Sequence, residues 1–80
     1  MDSYTIDMAG PWRRYQRDIP RDWIILGTIR CDSDHSIGAL ARSAIGVYVL
    51  FNAGASHSLH QRAVLAALHR ATKAGGVHRG

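Results

Sequence analysis

The sequence predicts an α+β domain, a three- or four-stranded antiparallel meander with one C-terminal helix packed on one face. Three patterns predict it. Ser3 to Met8 alternates polar and apolar residues, Trp23 to Arg30 and Val47 to Asn52 are rich in β-branched and aromatic residues, and Ser58 onward repeats its apolar residues at helical spacing. Alternation with a period of two marks a half-buried strand, whereas recurrence at i, i+3, i+4 and i+7 marks one face of a helix.

In chain order, Tyr4, Ile6 and Met8 form the apolar side of a first strand, which Ala9-Gly10-Pro11 ends. Trp12 to Arg17, W-R-R-Y-Q-R, reads as a basic, aromatic arm, a helical turn or a loop. Pro20 biases Ile19 toward extended geometry, so Ile19 to Asp22 reads as a turn. Trp23 to Arg30 is a central strand by its β-branched content. The polar stretch Cys31 to His35 connects it to a strand of smaller residues, Ser36 to Ser43, and Ala44-Ile45-Gly46 turns the chain into Val47 to Asn52. Such short links between consecutive strands favour antiparallel neighbours. Asn52 to Ala55 breaks the pattern, with room for one very short further strand. Ser58 and Gln61 have capping-box spacing, so a helix is expected from Ser58 to about Ala74 with Gly75 as its C-cap. Its expected apolar stripe is Val64, Leu65, Ala67, Leu68 and Ala71, opposite a basic ridge of Arg62, His69, Arg70 and Lys73.

The expected organisation is therefore a single domain over 1–80. Residues 1–22 form a strand and the arm, 23–57 the sheet, 58–74 the helix and 75–80 a disordered tail. Both faces of the strands carry apolar residues: Val47, Val49 and Phe51 are expected opposite Tyr48 and Leu50, and Ile25 and Ile29 opposite Ile24 and Leu26. A sheet solvated on one side alternates more cleanly than this. One helix covers one face, so the second needs another cover. The arm with Trp12, Tyr15 and Ile19 is the first expectation, a second copy or a partner the next.

Eighty residues with 46% apolar content make one thin core. Cys31 is the only cysteine, which excludes an internal disulfide and fits a reducing compartment. Self-association is then the remaining common source of stability, and a homodimer is an expectation. The first twenty residues mix Asp with Arg and have no targeting pattern, and no apolar run is long enough for a bilayer. The expectation is a soluble cytoplasmic protein of a host cell, with no membrane partner.

Charge is unevenly distributed. Up to Asp34 the chain has five Arg and six Asp, a net of −1; from His35 it has four Arg, one Lys and no acid, a net of +5. An anionic partner fits this asymmetry, as does plain solubility.

The sequence predicts a binding protein and no enzyme. It lacks Glu altogether and has no Asp after Asp34, no G-x-S-x-G elbow, no Walker loop and no dinucleotide fingerprint. Ser56, His57 and Ser58 are adjacent, and neighbouring side chains diverge. His57 and His60 form H-x-x-H, but no second ligand pair completes a site. Cys31, Asp32, Asp34 and His35, with His57, are a remote alternative to a plain polar turn. No metal and no cofactor is expected.

The best binding motif is W-R-R-Y-Q-R. Arg supplies paired donors for phosphate or carboxylate, and aromatic rings supply stacking faces. The competing reading makes Trp12 and Tyr15 core residues that the arginines merely solvate. The expected partner-binding residues are Arg13, Arg14 and Arg17 first, and Arg62, Arg70 and Lys73 second.

The strand-strand-strand-helix stretch from Trp23 to Leu68 (W-I-I-L-G-T-I-R, I-G-A-L-A-R-S-A-I-G-V-Y-V, L-H-Q-R-A-V-L-A-A-L) resembles in format the small proteins of phages and mobile elements, in particular anti-CRISPR proteins. The resemblance covers more than half the chain and has no diagnostic motif. It implies a non-enzymatic inhibitor that sterically blocks a type I CRISPR effector complex from binding target DNA. No site residues carry over, because that class shares none. The alternative is a small basic nucleic-acid-binding protein or transcriptional regulator, although no helix-turn-helix, zinc finger or RNA-recognition motif is visible.

Overall fold

The computed structural model describes residues 3–77. Five strands form one antiparallel sheet in the order β1-β2-β3-β4-β5: β1 Tyr4–Asp7, β2 Ile24–Cys31, β3 Ile37–Arg42, β4 Tyr48–Asn52 and β5 Ala55–Ser58. A 3-10 helix, Trp12–Asp18, links β1 to β2, and α1, Gln61–Val77, follows β5. The fold is the expected α+β meander with a C-terminal helix, one strand longer than the count of three or four.

The sheet is covered on both sides. On one face α1 sets Val64 and Ala67 against Tyr4, Ile6, Ile29, Cys31, Leu40, Tyr48 and Leu50. Leu40, Ile29 and Val64 are the largest side chains wholly removed from solvent. On the other face Ile19 is buried with Ala39, Ala41, Val49 and Phe51, and Trp12, Tyr15, Trp23 and Ile25 pack around them. Trp23 meets Phe51 edge-on, with ring centroids 5.4 Å apart. The arm is therefore the cover of the second face. Trp12 and Tyr15 are half-buried core residues rather than open stacking faces.

Ile25 and Ile29 do not share a face as the alternation suggested, for Ile25 joins the arm side and Ile29 the helix side. The reason is a bulge: Ile25 pairs with Ala41 but Gly27 with Leu40, leaving Leu26 as an extra residue. One extra residue exchanges the two faces of all that follows. Gly27 makes the bulge feasible. Its φ is +149, and a Cβ there would lie 2.6 Å from the Asp7 carbonyl oxygen. Only glycine combines that conformation with so close a backbone approach.

The capping box between Ser58 and Gln61 does not form. Leu59 N–H donates to the Tyr48 carbonyl at 2.8 Å, which carries the β4–β5 ladder past Ser58 and holds it in extended geometry. The first helical bond runs from Val64 N–H to the His60 carbonyl, so His60 occupies the N-cap position. At the other end α1 continues through Gly75 and Gly76 to Val77. Glycine weakens a helix interior by about 1 kcal/mol relative to Ala without ending it, so α1 runs past the C-cap expected at Gly75 and into the expected tail. The rest of that expected tail, 78–80, lies outside the described residues. Leu65 is also displaced from its expected place: it is 45% exposed, and the buried stripe is Val64 and Ala67, flanked by Ala63, Leu68 and Ala71.

Candidate functional site

The 3-10 geometry sorts the arm's side chains. At about three residues per turn, residues i and i+3 eclipse. Trp12 and Tyr15 thus form one row, which packs on the sheet. Arg14 and Arg17 form a second row and Arg13 with Gln16 a third, all four exposed. The Arg13 guanidinium lies over the Trp12 ring, 5.6 Å from its centroid. The aromatic row fixes the segment and the arginine row faces solvent. No salt bridge reaches Arg13, Arg14 or Arg17 from any acid among the described residues, where the ion pair formed is Arg30 with Asp32 at 3.2 Å. Beside the start of the arm, Ala9, Gly10, Pro11, Trp12, Arg13 and Arg14 line an open groove of about 500 Å3.

The second expected group, Arg62, Arg70 and Lys73, lies on α1 and so on the opposite side of the sheet. All three are exposed. Arg70 is engaged within the fold, however: its guanidinium donates to the Tyr4 carbonyl at 3.1 Å and ties α1 to β1. The two basic groups cannot make one continuous surface with the sheet between them; in the α1 group Arg70 is tied to β1, and in the arm group Arg13 rests on Trp12.

The polar loop after β2 separates into parts with different tasks. Asp32 accepts from Thr5 Oγ1 at 3.1 Å and from Arg30 Nε. Asp34 accepts from the Ser36 hydroxyl at 2.7 Å and the Ser36 N–H at 2.9 Å, and these bonds, the hydroxyl first, hold its carboxyl below the usual range. His35 takes the left-handed conformation, φ 60, that turns the chain. Cys31 points inward, buried, with its sulfur 3.1 Å from Ser33 Oγ.

The topology does bring this loop beside β5. Tyr4, Cys31, Asp34, Ser36, Leu50, His57, Ser58 and Leu59 line a hollow of about 230 Å3. β3 and β4 lie between β2 and β5 in the sheet order, so neither sequence spacing nor strand pairing places Cys31 and His57 on one hollow. Among the described residues no three His, Cys, Asp or Glu side chains gather closely enough to hold a metal ion. The full set of Cys31, Asp32, Asp34, His35 and His57 does not converge: Asp32 turns to Thr5 and Arg30, away from the hollow that Cys31, Asp34 and His57 share. No described helix is long and apolar enough to cross a membrane.

No protein-family model, no curated protein and no solved structure matches this chain.

Proposed function

We propose that this protein is a non-enzymatic inhibitor that acts by stoichiometric binding through the arginine ridge of its 3-10 arm. The observation that carries the reading is the arm itself: Arg13, Arg14 and Arg17 stand exposed on a segment whose aromatic side is packed into the core. Binding energy is spent least on ordering when the presenting backbone is already fixed. Guanidinium forks suit carboxylates and phosphates alike.

Within this reading the target is a type I CRISPR effector complex, the protein denies it target DNA by occupying its surface, and the place of action is the host cytoplasm. The resemblance to anti-CRISPR proteins is what suggests that target. Direct binding of nucleic acid is the second reading, favoured by the absence of any acid after Asp34.

The test is an affinity pull-down from host lysate with and without nuclease, followed by a gel shift on purified components. A nuclease-resistant protein partner, and loss of target-DNA binding by the effector at near one inhibitor per site, is the expected result. Tight binding to naked duplex at physiological salt, with a steep salt slope and no effect on any effector complex, would overturn it in favour of the second reading.

A further inference from the structure

We infer that the outer edge of β5 is a self-association surface, where a second copy of this chain adds its own β5 antiparallel and joins the two sheets into one.

The β4–β5 ladder already uses half of the backbone groups of β5. The Leu59 N–H bonds the Tyr48 carbonyl, and the register pairs Leu50 with His57 and Asn52 with Ala55. Hydrogen-bonded and non-hydrogen-bonded pairs alternate along an antiparallel ladder. His57 and Ala55 therefore direct their N–H and C=O groups toward β4, and Ser56 and Ser58 direct theirs outward. No element lies beyond β5 in the sheet order, and all four of its residues are exposed. Two outward residues two positions apart are self-complementary. In a two-fold arrangement Ser56 of one copy exchanges both bonds with Ser58 of the other, and Ser58 with Ser56.

The opposite edge of the sheet is guarded, as natural edges usually are. By the same alternation, Tyr4 and Ile6 direct their backbone groups outward from β1, since Ser3 is bonded to Asp32. There the Arg70 guanidinium occupies the Tyr4 carbonyl, and Thr5, Arg30 and Asp32 form a charged cluster beside it. The β5 residues, Ala55–Ser58, include no proline and no Asp, Glu, Lys or Arg, and all four are exposed.

Charge selects the occupant. Each copy has a formal net charge of +4, so two copies repel through most of their surfaces. Yet the sequence has no Asp, Glu, Lys or Arg between Arg42 and Arg62, a stretch that includes all of β4 and β5. Like-charged copies meet at least electrostatic cost along that uncharged edge. An anionic partner would instead be drawn to the arginine ridges. Four residues make a small interface compared with the roughly 1,200–2,000 Å2 of stable complexes, so the association is weak and reversible.

The experiment measures mass by sedimentation and amide exchange by NMR across a concentration series of the intact protein. The mass should rise from the 8.8 kDa monomer toward twice that value. The Ser56 and Ser58 amides should slow severalfold in parallel, while the Ile6 amide on the β1 edge keeps its rate. Ser56→Pro, which removes one outward donor, and Ser56→Lys, which brings like charges together, should each abolish the mass increase with the circular dichroism spectrum unchanged. If the proline variant unfolds, the lysine variant and the amide rates decide. A monomer mass at every concentration, a dimer whose Ser56 and Ser58 amides exchange at monomer rates, or a folded Ser56→Lys variant that still dimerises would overturn the inference.

Discussion

At the scale of single residues, the conformations that matter are those that side chains resist. The β4–β5 hairpin closes on two residues, Ala53 with φ 41 and Gly54 with φ 82. Positive φ at both central positions is the turn that matches strand twist, and Asn-Gly is its preferred sequence. Ala53 is strained there, which is also why the turn escapes notice in the sequence: the first position lacks the Asn, Asp or Gly that signals it. Ala53→Gly or Ala53→Asn should raise stability by about 0.5–1 kcal/mol in urea unfolding. A second prediction concerns Asp34. Its carboxyl is held below the ordinary range by the Ser36 hydroxyl and amide. A depressed folded value means that the ionised form is favoured by folding, so its contribution is present above the unfolded pKa and disappears as pH falls through the folded one. The group is exposed, so the effect is small. Carbon-detected NMR titration should place the Asp34 midpoint below that of an unstructured Asp, and Ser36→Ala should move it upward.

At the scale of elements, α1 begins without a good cap. His60 sits at the N-cap position and the first turn has no acidic residue. His60→Asp supplies both an acceptor for the free N–H groups and a negative charge at the positive end of the helix. It should stabilise the fold by about 0.5–2 kcal/mol, read as a higher thermal midpoint. The packing of the elements gives a contrast between two leucines. Leu40 is wholly buried between α1 and the sheet while Leu65 is 45% exposed. Leu40→Ala should cost about 2–5 kcal/mol, and Leu65→Ala within about 0.5 kcal/mol of nothing. Denaturant midpoints of the two variants check this. Equal losses would mean that α1 is rotated about its axis from the position described.

Elements were legible where pattern alone decides them. The strands at Trp23–Arg30 and Val47–Asn52 and the helix around Val64 to Ala71 follow from period and composition. What stayed hidden depends on partners distant in the chain. The Leu26 bulge exists because Gly27 meets Asp7 and Met8. Ser58 mimics a capping box because β4 captures it as a strand. Of the candidate site, the exposure of Arg13, Arg14 and Arg17 was legible, whereas the bond from Arg70 to Tyr4, 66 residues apart, was not.

At the scale of the whole molecule, the sheet divides the surface in three. The arm presents one arginine ridge, α1 a second on the opposite side, and the β4–β5 edge an uncharged strip between them. The arm ridge is the proposed binding surface. The most direct test replaces Arg13, Arg14 and Arg17 together with alanine and, separately, Arg62 and Lys73, leaving Arg70 to hold β1. Association with a purified type I effector complex is then followed at rising salt. The arm variant should stay folded, lose most of its on-rate and lose its salt dependence, while the α1 variant should bind nearly as the parent does. An arm variant that binds and inhibits undiminished, with the α1 variant inactive, would contradict it.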